Sequence, residues 1–255
     1  MTENLDLQSY NIVRPEKVTW IFPPTHDVLA SIKSKSLRSF LKRGEALMQE
    51  QGIRWEYRPL SEQDFFDWLP YYEEKMKENG FDILANKNTY QEKIAAGSTV
   101  EGLFFYRNQK MIGSIILTRK GNEYVALNFK ASDKLDIFPG GRSSIGALID
   151  YIFLKVMSEQ EIKLITGGSS RNAFGVINKI GYLDSRLRTG FEVIQKEDVA
   201  FLDFVPLAAD RSVLFFGMRD GGPLTLFGVK PKDSAIQFEQ ARFASASLPF
   251  EEILI

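Results

Sequence analysis

Gly140, Gly141, Arg142, Ser143 and Ser144 follow one another, and Gly146 stands two residues on, where an apolar-periodic helix begins. Glycines let backbone amides converge on one point. A helix N-terminus adds unsatisfied donors and a partial positive charge. Arg142 contributes a full charge and the serines contribute hydroxyls, a combination suited to a pyrophosphate. The same residues also suit a plain strand–helix turn with Ser143 or Ser144 as the cap, and spacing alone leaves both readings open. Two nucleotide motifs are excluded. Gly141 and Gly146 have P-loop spacing, but Ala147 stands where that motif needs lysine, and no G-x-G-x-x-G is present.

The elements that must hold this stretch are readable from periodicity. Ile145, Leu148, Ile149, Ile152, Phe153, Val156 and Met157 recur at helical spacing, which predicts a core-facing helix. Before it, 100–107, 109–120 and 122–132 alternate and are joined by short polar turns, which predicts an antiparallel meander. After it come a short strand (161–166), a second helix (169–182) and a strand (189–196). Upstream, 31–51 reads as a basic amphipathic helix bearing Lys33, Lys35, Arg38, Lys42 and Arg43 around an apolar stripe of Leu37, Phe40, Leu41, Leu47 and Met48. Residues 53–60 read as a strand. A helix over 61–80 has Ser61 as cap, Gly80 as stop and Pro70 as a kink or second start, and 88–97 is a short helix. Residues 1–30 are expected to be irregular. Beyond 200, 199–207, 211–219 and 224–230 are strand-like, the last two split by the turn signal Asp220-Gly221-Gly222. The apolar tail is expected to dock on the same domain or on a partner copy.

Composition narrows the chemistry. The chain has 255 residues, 44% hydrophobic and 25% charged, with a formal charge of −1. That balance fits a globular protein and gives no whole-molecule attraction to nucleic acid. Without a cysteine there is no disulfide framework, cysteine-bound metal or catalytic thiolate. The single histidine, His26, excludes a multi-histidine metal site, and no metal is expected. No apolar run has the roughly 20 residues needed to span a bilayer. The polar, acidic start does not read as a signal peptide, so the expected location is the cytoplasm.

The order of these segments resembles the GNAT acyltransferases. FPGGRSSIGA (138–147) stands where that family places its phosphate-binding loop, and NAFGVINKIGY (172–182) is similar to the family's helix after the fifth strand. SLRSFLKRGEALMQEQG, FFDWLPYYEEKMKENGF, TYQEKI and GGSSRNAFGVINKIGY resemble the FemAB-like branch. The resemblance implies an α+β fold: a mixed, mostly antiparallel twisted sheet flanked by helices, here with extra C-terminal strands. It implies an irregular extension over 1–30, an acyltransferase domain over 31–200, and C-terminal strands and tail over 201–255 packed on that domain or on a dimer partner.

The same resemblance implies an N-acyltransferase that uses acetyl-CoA or another acyl-CoA and an amine acceptor. Gly140, Gly141, Arg142, Ser143, Ser144, Gly146 and Asn172 would bind the donor. The thioester would lie between the strands EYVALNFK and EIKLIT, with Asn128 and Lys130 at the lip and Ser169 near the end of the second strand. The family's tyrosine acid is replaced by Ile177, so the proton donor is unassigned. Asp133 and Glu192 are the nearest carboxylates for a base. Two alternatives stand beside this reading: a FemAB-like transferase using aminoacyl-tRNA, and a non-catalytic binding module of the same fold.

Overall fold

Val18, Trp20 and Phe22 alternate in KVTWIF and all three are buried, so a segment expected to be irregular forms a strand. In the computed structural model, which describes residues 10–23, 25, 27–135, 145–175, 179–195, 210–238 and 248–255, the chain opens with β1 (Ile12–Val13) and β2 (Lys17–Phe22). Contacts divide it into two units: residues 1–21 with 169–255, discontinuous in sequence, and the continuous 22–168.

The continuous unit begins with α1 (Val28–Ser31) and α2 (Lys35–Glu50). Ser34 Oγ caps α2 by accepting from Leu37 N at 3.3 Å, and the stripe Leu37, Phe40, Leu41, Leu47 and Met48 is buried as its spacing requires. β3 (Ile53–Pro59) leads to α3 (Glu62–Asn79). Ser61 and Asp64 form a reciprocal capping box at its start, and Gly80 ends it at φ 64°. The helix runs unbroken through Pro70, so no second start occurs there. Ser61→Ala is expected to lower the unfolding free energy of this unit by about 1 kcal/mol, read as a lower urea midpoint at unchanged slope. An unchanged midpoint would mean that the box is idle.

After α4 (Thr89–Ala95) come β4 (Thr99–Arg107), β5 (Lys110–Lys120) and β6 (Tyr124–Ser132). They pair antiparallel with β3 in the order β3-β4-β5-β6, as the short connections dictate. α3 covers one face through Phe65, Trp68 and Tyr72 against Phe104, Ile116 and Phe129, and Trp68 Nε1 donates to Ser114 Oγ at 2.9 Å. α5 (Ile145–Glu159) covers the other. Gly113, next to Ser114 and so on the opposite face, lies so close to α5 that a Cβ there would stand 2.3 Å from Ile149 Cδ1. Gly44 of α2 meets Leu148 of the same helix with equal intimacy. Past α5 the chain is still winding, with Ile162 N donating to Met157 O. The next strand, β7 (Ile165–Arg171), therefore starts and ends later than the sequence predicts. β7 passes from one unit to the other at Gly168/Ser169.

In the discontinuous unit β7 neighbours β2, and β2 pairs antiparallel with β8 (Glu192–Gln195). A helix over 169–182 is corrected. β7 runs to Arg171, Phe174 bridges Leu214, and α6 occupies Ile180–Arg188, with Gly181 inside it. Gly175 explains the change. Its φ is 109°, outside any helix, and a Cβ would lie 2.6 Å from Ser212 O. The second sheet has the order β1-β9-β10-β11, with β9 (Val213–Arg219), β10 (Thr225–Lys230) and β11 (Phe250–Leu254). Asp220 and Gly221, both at positive φ, turn β9 into β10. The apolar tail is β11, parallel to β10, with Ile253 buried among Ile12, Phe215, Phe227 and Val229. The strand expected over 199–207 lies outside the described residues. The architecture is thus α+β, with mostly antiparallel sheets flanked by helices. Among the described residues no helix is long and apolar enough to cross a membrane.

Candidate functional site

β6 is irregular where a reaction site was expected. On its β5 side, Leu117 faces Leu127 while Ile116 faces Phe129, so Asn128 is the extra residue of a β-bulge. The Asn128 amide folds back on the bulge, donating to Thr118 Oγ1 at 2.9 Å and Ala126 O at 3.0 Å.

On the other side, β6 pairs in parallel with β7 at only two positions, Val125↔Ile165 and Ala126↔Thr166. The ladder stops for a local reason. Gly168 N–H donates to Thr166 Oγ1 at 3.2 Å, and Gly168 has φ 82°, a conformation that favours glycine. Among the described residues the regular β6–β7 register ends at Ala126, and Gly168 still lies against Leu127 O. A strand edge past the end of its register presents main-chain donors and acceptors to an extended ligand that carries its own amides.

Lys130 follows on β6 and reaches α5. Its Nζ donates to Gly146 O at 2.8 Å and pairs with Asp150 Oδ2 at 2.7 Å. Asp150 is buried, and its Oδ1 has no hydrogen-bond partner among the described residues. Spacing reasoning missed Asp150, although an acid in the apolar run of IGALIDYIFLKV is a signal in itself.

At the end of the strand, Asp133 N donates to Ile112 O, and Asp133 Oδ1 lies 3.2 Å from Lys75 Nζ and 3.5 Å from the Tyr71 hydroxyl. Burial opposes the Lys75 charge, but hydrogen bonds to Glu74, Glu78 and Asp133 outweigh it and hold the ammonium above its ordinary pKa. Burial, reinforced by Asp133, pushes the Tyr71 phenol well up, so it stays a neutral donor at physiological pH. Asp133 is thus a carboxylate fixed by a cation and a phenol at the end of the bulged strand.

Of the expected site residues, Lys130 and Gly146 are brought into contact, and Asn128 lies on the same strand as Lys130. Gly140, Gly141, Arg142, Ser143 and Ser144 lie outside the described residues, as do His26 and Ile177. Ser169 belongs to the discontinuous unit, where its Oγ is 2.9 Å from Thr19 Oγ1, and the neighbouring Ser170 Oγ accepts from Trp20 Nε1. Glu192 is exposed on β8.

Asn172, expected to bind the donor, is held by backbone on all sides. Its side chain is fully buried, donates Nδ2 to Pro15 O and Phe216 O, and accepts from Phe216 N through Oδ1, each at 2.7 Å. With both ends of the amide bonded to backbone, it clasps the segments around β2 and β9. Among the described residues no group of three His, Cys, Asp or Glu side chains could hold a metal ion.

No family model matches the chain, and no curated protein matches it. Solved structures do. The crystal structure of FemX is 12% identical, with 74% of this chain and 65% of that one aligned and a TM-score of 0.53. The fold of this chain is similar to that of FemX. A tandem GNAT protein from the clavulanic acid biosynthesis pathway, 12% identical, aligns over 75% of this chain and 59% of its own with a TM-score of 0.42. The PaiA N-acetyltransferase from Thermoplasma acidophilum, in complex with coenzyme A, is 16% identical and aligns over 51% of this chain and 84% of its own, TM-score 0.32. At these identities the likeness is one of fold, and the two scores below 0.5 add no weight. The aligned part spans less than two thirds of FemX and of the tandem protein.

Proposed function

We propose that this chain is an N-acyltransferase that moves an acyl group from an acyl-CoA, acetyl-CoA being the simplest, to an amine on a small molecule or cell-surface precursor. The observation that carries the reading is the early end of the β6–β7 ladder beside the Asn128 bulge. A pantetheine-like arm is an extended chain with amides. It would complete the hydrogen bonds that β7 leaves off, and a main-chain N–H of β6 would meet the thioester carbonyl as negative charge develops there. The amine forms the new C–N bond, the C–S bond breaks, the amine gives up a proton, and the sulfur takes one as thiol. Asp133, at the end of the same strand, is the carboxylate we assign to receiving the amine proton. Gly146 and the stretch 140–144 would hold the pyrophosphate.

Calorimetric titration with acetyl-CoA tests this. Saturable binding is expected, weakened about tenfold or more by Gly141→Glu and by Arg142→Ala. Heats at dilution level for the wild-type chain would end the reading.

One observation favours a second reading. Lys33, Lys35, Lys42 and Arg43 are exposed around α2, a basic face suited to a polyanion such as aminoacyl-tRNA. Salt-sensitive tRNA binding without acetyl-CoA binding would select it.

A further inference from the structure

At the C-terminal half of α5 lies a hollow that takes no part in the proposed acyl transfer. It has a volume of about 150 Å³ and is lined by Asp27, Val28, Leu29, Tyr151, Lys155, Ser158 and Glu159. A 150 Å³ cavity in an engineered protein interior accommodates benzene, so a molecule of that size fits. Tyr151, Lys155, Ser158 and Glu159 fall at i, i+4, i+7 and i+8 and share one helix face.

The floor of the hollow is polar. Ser158 is 8% exposed, and its Oγ has no hydrogen-bond partner among the described residues. Tyr151 is equally buried. An unbonded hydroxyl in such a place is unfavourable unless something supplies the missing bond. The rim sets the charge preference. Lys155 is already paired with Glu45 at 2.6 Å, whereas Asp27 and Glu159 are exposed carboxylates that carry no ion pair among the described residues. Asp27 Oδ1 caps α1 by accepting from Ala30 N at 3.0 Å, which leaves the other oxygen for a ligand.

We propose that this hollow is a second ligand site that takes a small amino alcohol. The ammonium would sit between Asp27 and Glu159, and the hydroxyl would bond to Ser158 and Tyr151 on the floor. The selectivity follows from the groups present: Asp27 and Glu159 outnumber Lys155, which Glu45 already pairs, so the lining disfavours an anion, and the hydroxyl floor disfavours a purely apolar guest.

The test uses the full chain and 2-aminoethanol, with binding followed by amide chemical shifts. Saturable shifts centred on residues 27–29 and 151–159 are expected, with none from propanoate. Ser158→Val, which fills the floor, and Asp27→Asn, which keeps the capping oxygen but removes the charge, should each weaken binding about tenfold. Asp27→Asn keeps the test decisive if Ser158→Val fails to fold. The shifts should also survive saturation with acetyl-CoA, since no residue of β6 or β7 lines the hollow. A wild-type chain with no saturable response holds only water there, and the proposal is then wrong. Equal binding of propanoate, or equal binding by both variants, overturns it as well.

Discussion

Asn172→Ala is expected to lower the stability of the discontinuous unit by about 3–5 kcal/mol. The side chain is fully buried and answers three backbone groups, Pro15 O, Phe216 O and Phe216 N. Alanine leaves all three without a partner in a place water does not reach, and each orphaned group costs roughly 1–3 kcal/mol. Asn172 O also accepts from the buried Arg14 at 2.8 Å, a bond the variant keeps. Hydrogen exchange at the Phe216 amide reads the effect directly, because that N–H donates to the asparagine itself. Protection should fall steeply in the variant. Wild-type protection there, together with lost acetyl-CoA binding, would return Asn172 to the donor site and sink the structural account.

Lys130→Met has the second large effect, about 3 kcal/mol. Asp150 is buried and Lys130 is its ion-pair partner, so the variant strands a charge beside an apolar core. Lys130 keeps 26% side-chain exposure, which places the loss at the low end of the range for broken buried pairs. Pairing it with Asp150→Leu should recover most of the loss, since a well-packed apolar pair is often as stable as the ion pair it replaces. Urea denaturation of both single variants and the double variant gives the coupling. Additive losses would show that the two side chains do not act together. The experiment also separates roles: a double variant that is stable yet inactive would place Lys130 in the chemistry as well as in the packing.

Much of the fold was legible because the signals were local. The α2 stripe, the Ser61–Asp64 box and Gly80 lie within a few residues of the structure they specify. The meander was legible because two-residue and three-residue turns allow little else. What failed was non-local. Asn172 was read with the downstream NAFGVINKIGY as helix and ligand contact, but its partners are 44 and 157 residues away. The constraint on Gly175 comes from Ser212, on another strand. β2 was passed over because prolines crowd the N-terminal segment, although Val18, Trp20 and Phe22 carry the alternation of a half-buried strand. The site divides in the same way. Asn128 and Lys130 could be placed on a strand lip from sequence, but the bulge depends on the register with β5 and the ladder's end on a glycine of β7.

The interrupted unit carries a cost in the order of assembly. Thr19 and Ser169 touch across 150 residues of chain. Closing so long a flexible loop would cost roughly 4 kcal/mol in chain entropy. The continuous unit, which is one unbroken stretch of chain, can form first during synthesis and removes most of that freedom by fixing residues 22 and 168. Until the last strands have been made, β2 waits without β8 and β1 without β9. A variant that slows folding of the continuous unit would therefore prolong the time these N-terminal strands spend unpaired, and would show itself first as aggregation of the nascent chain.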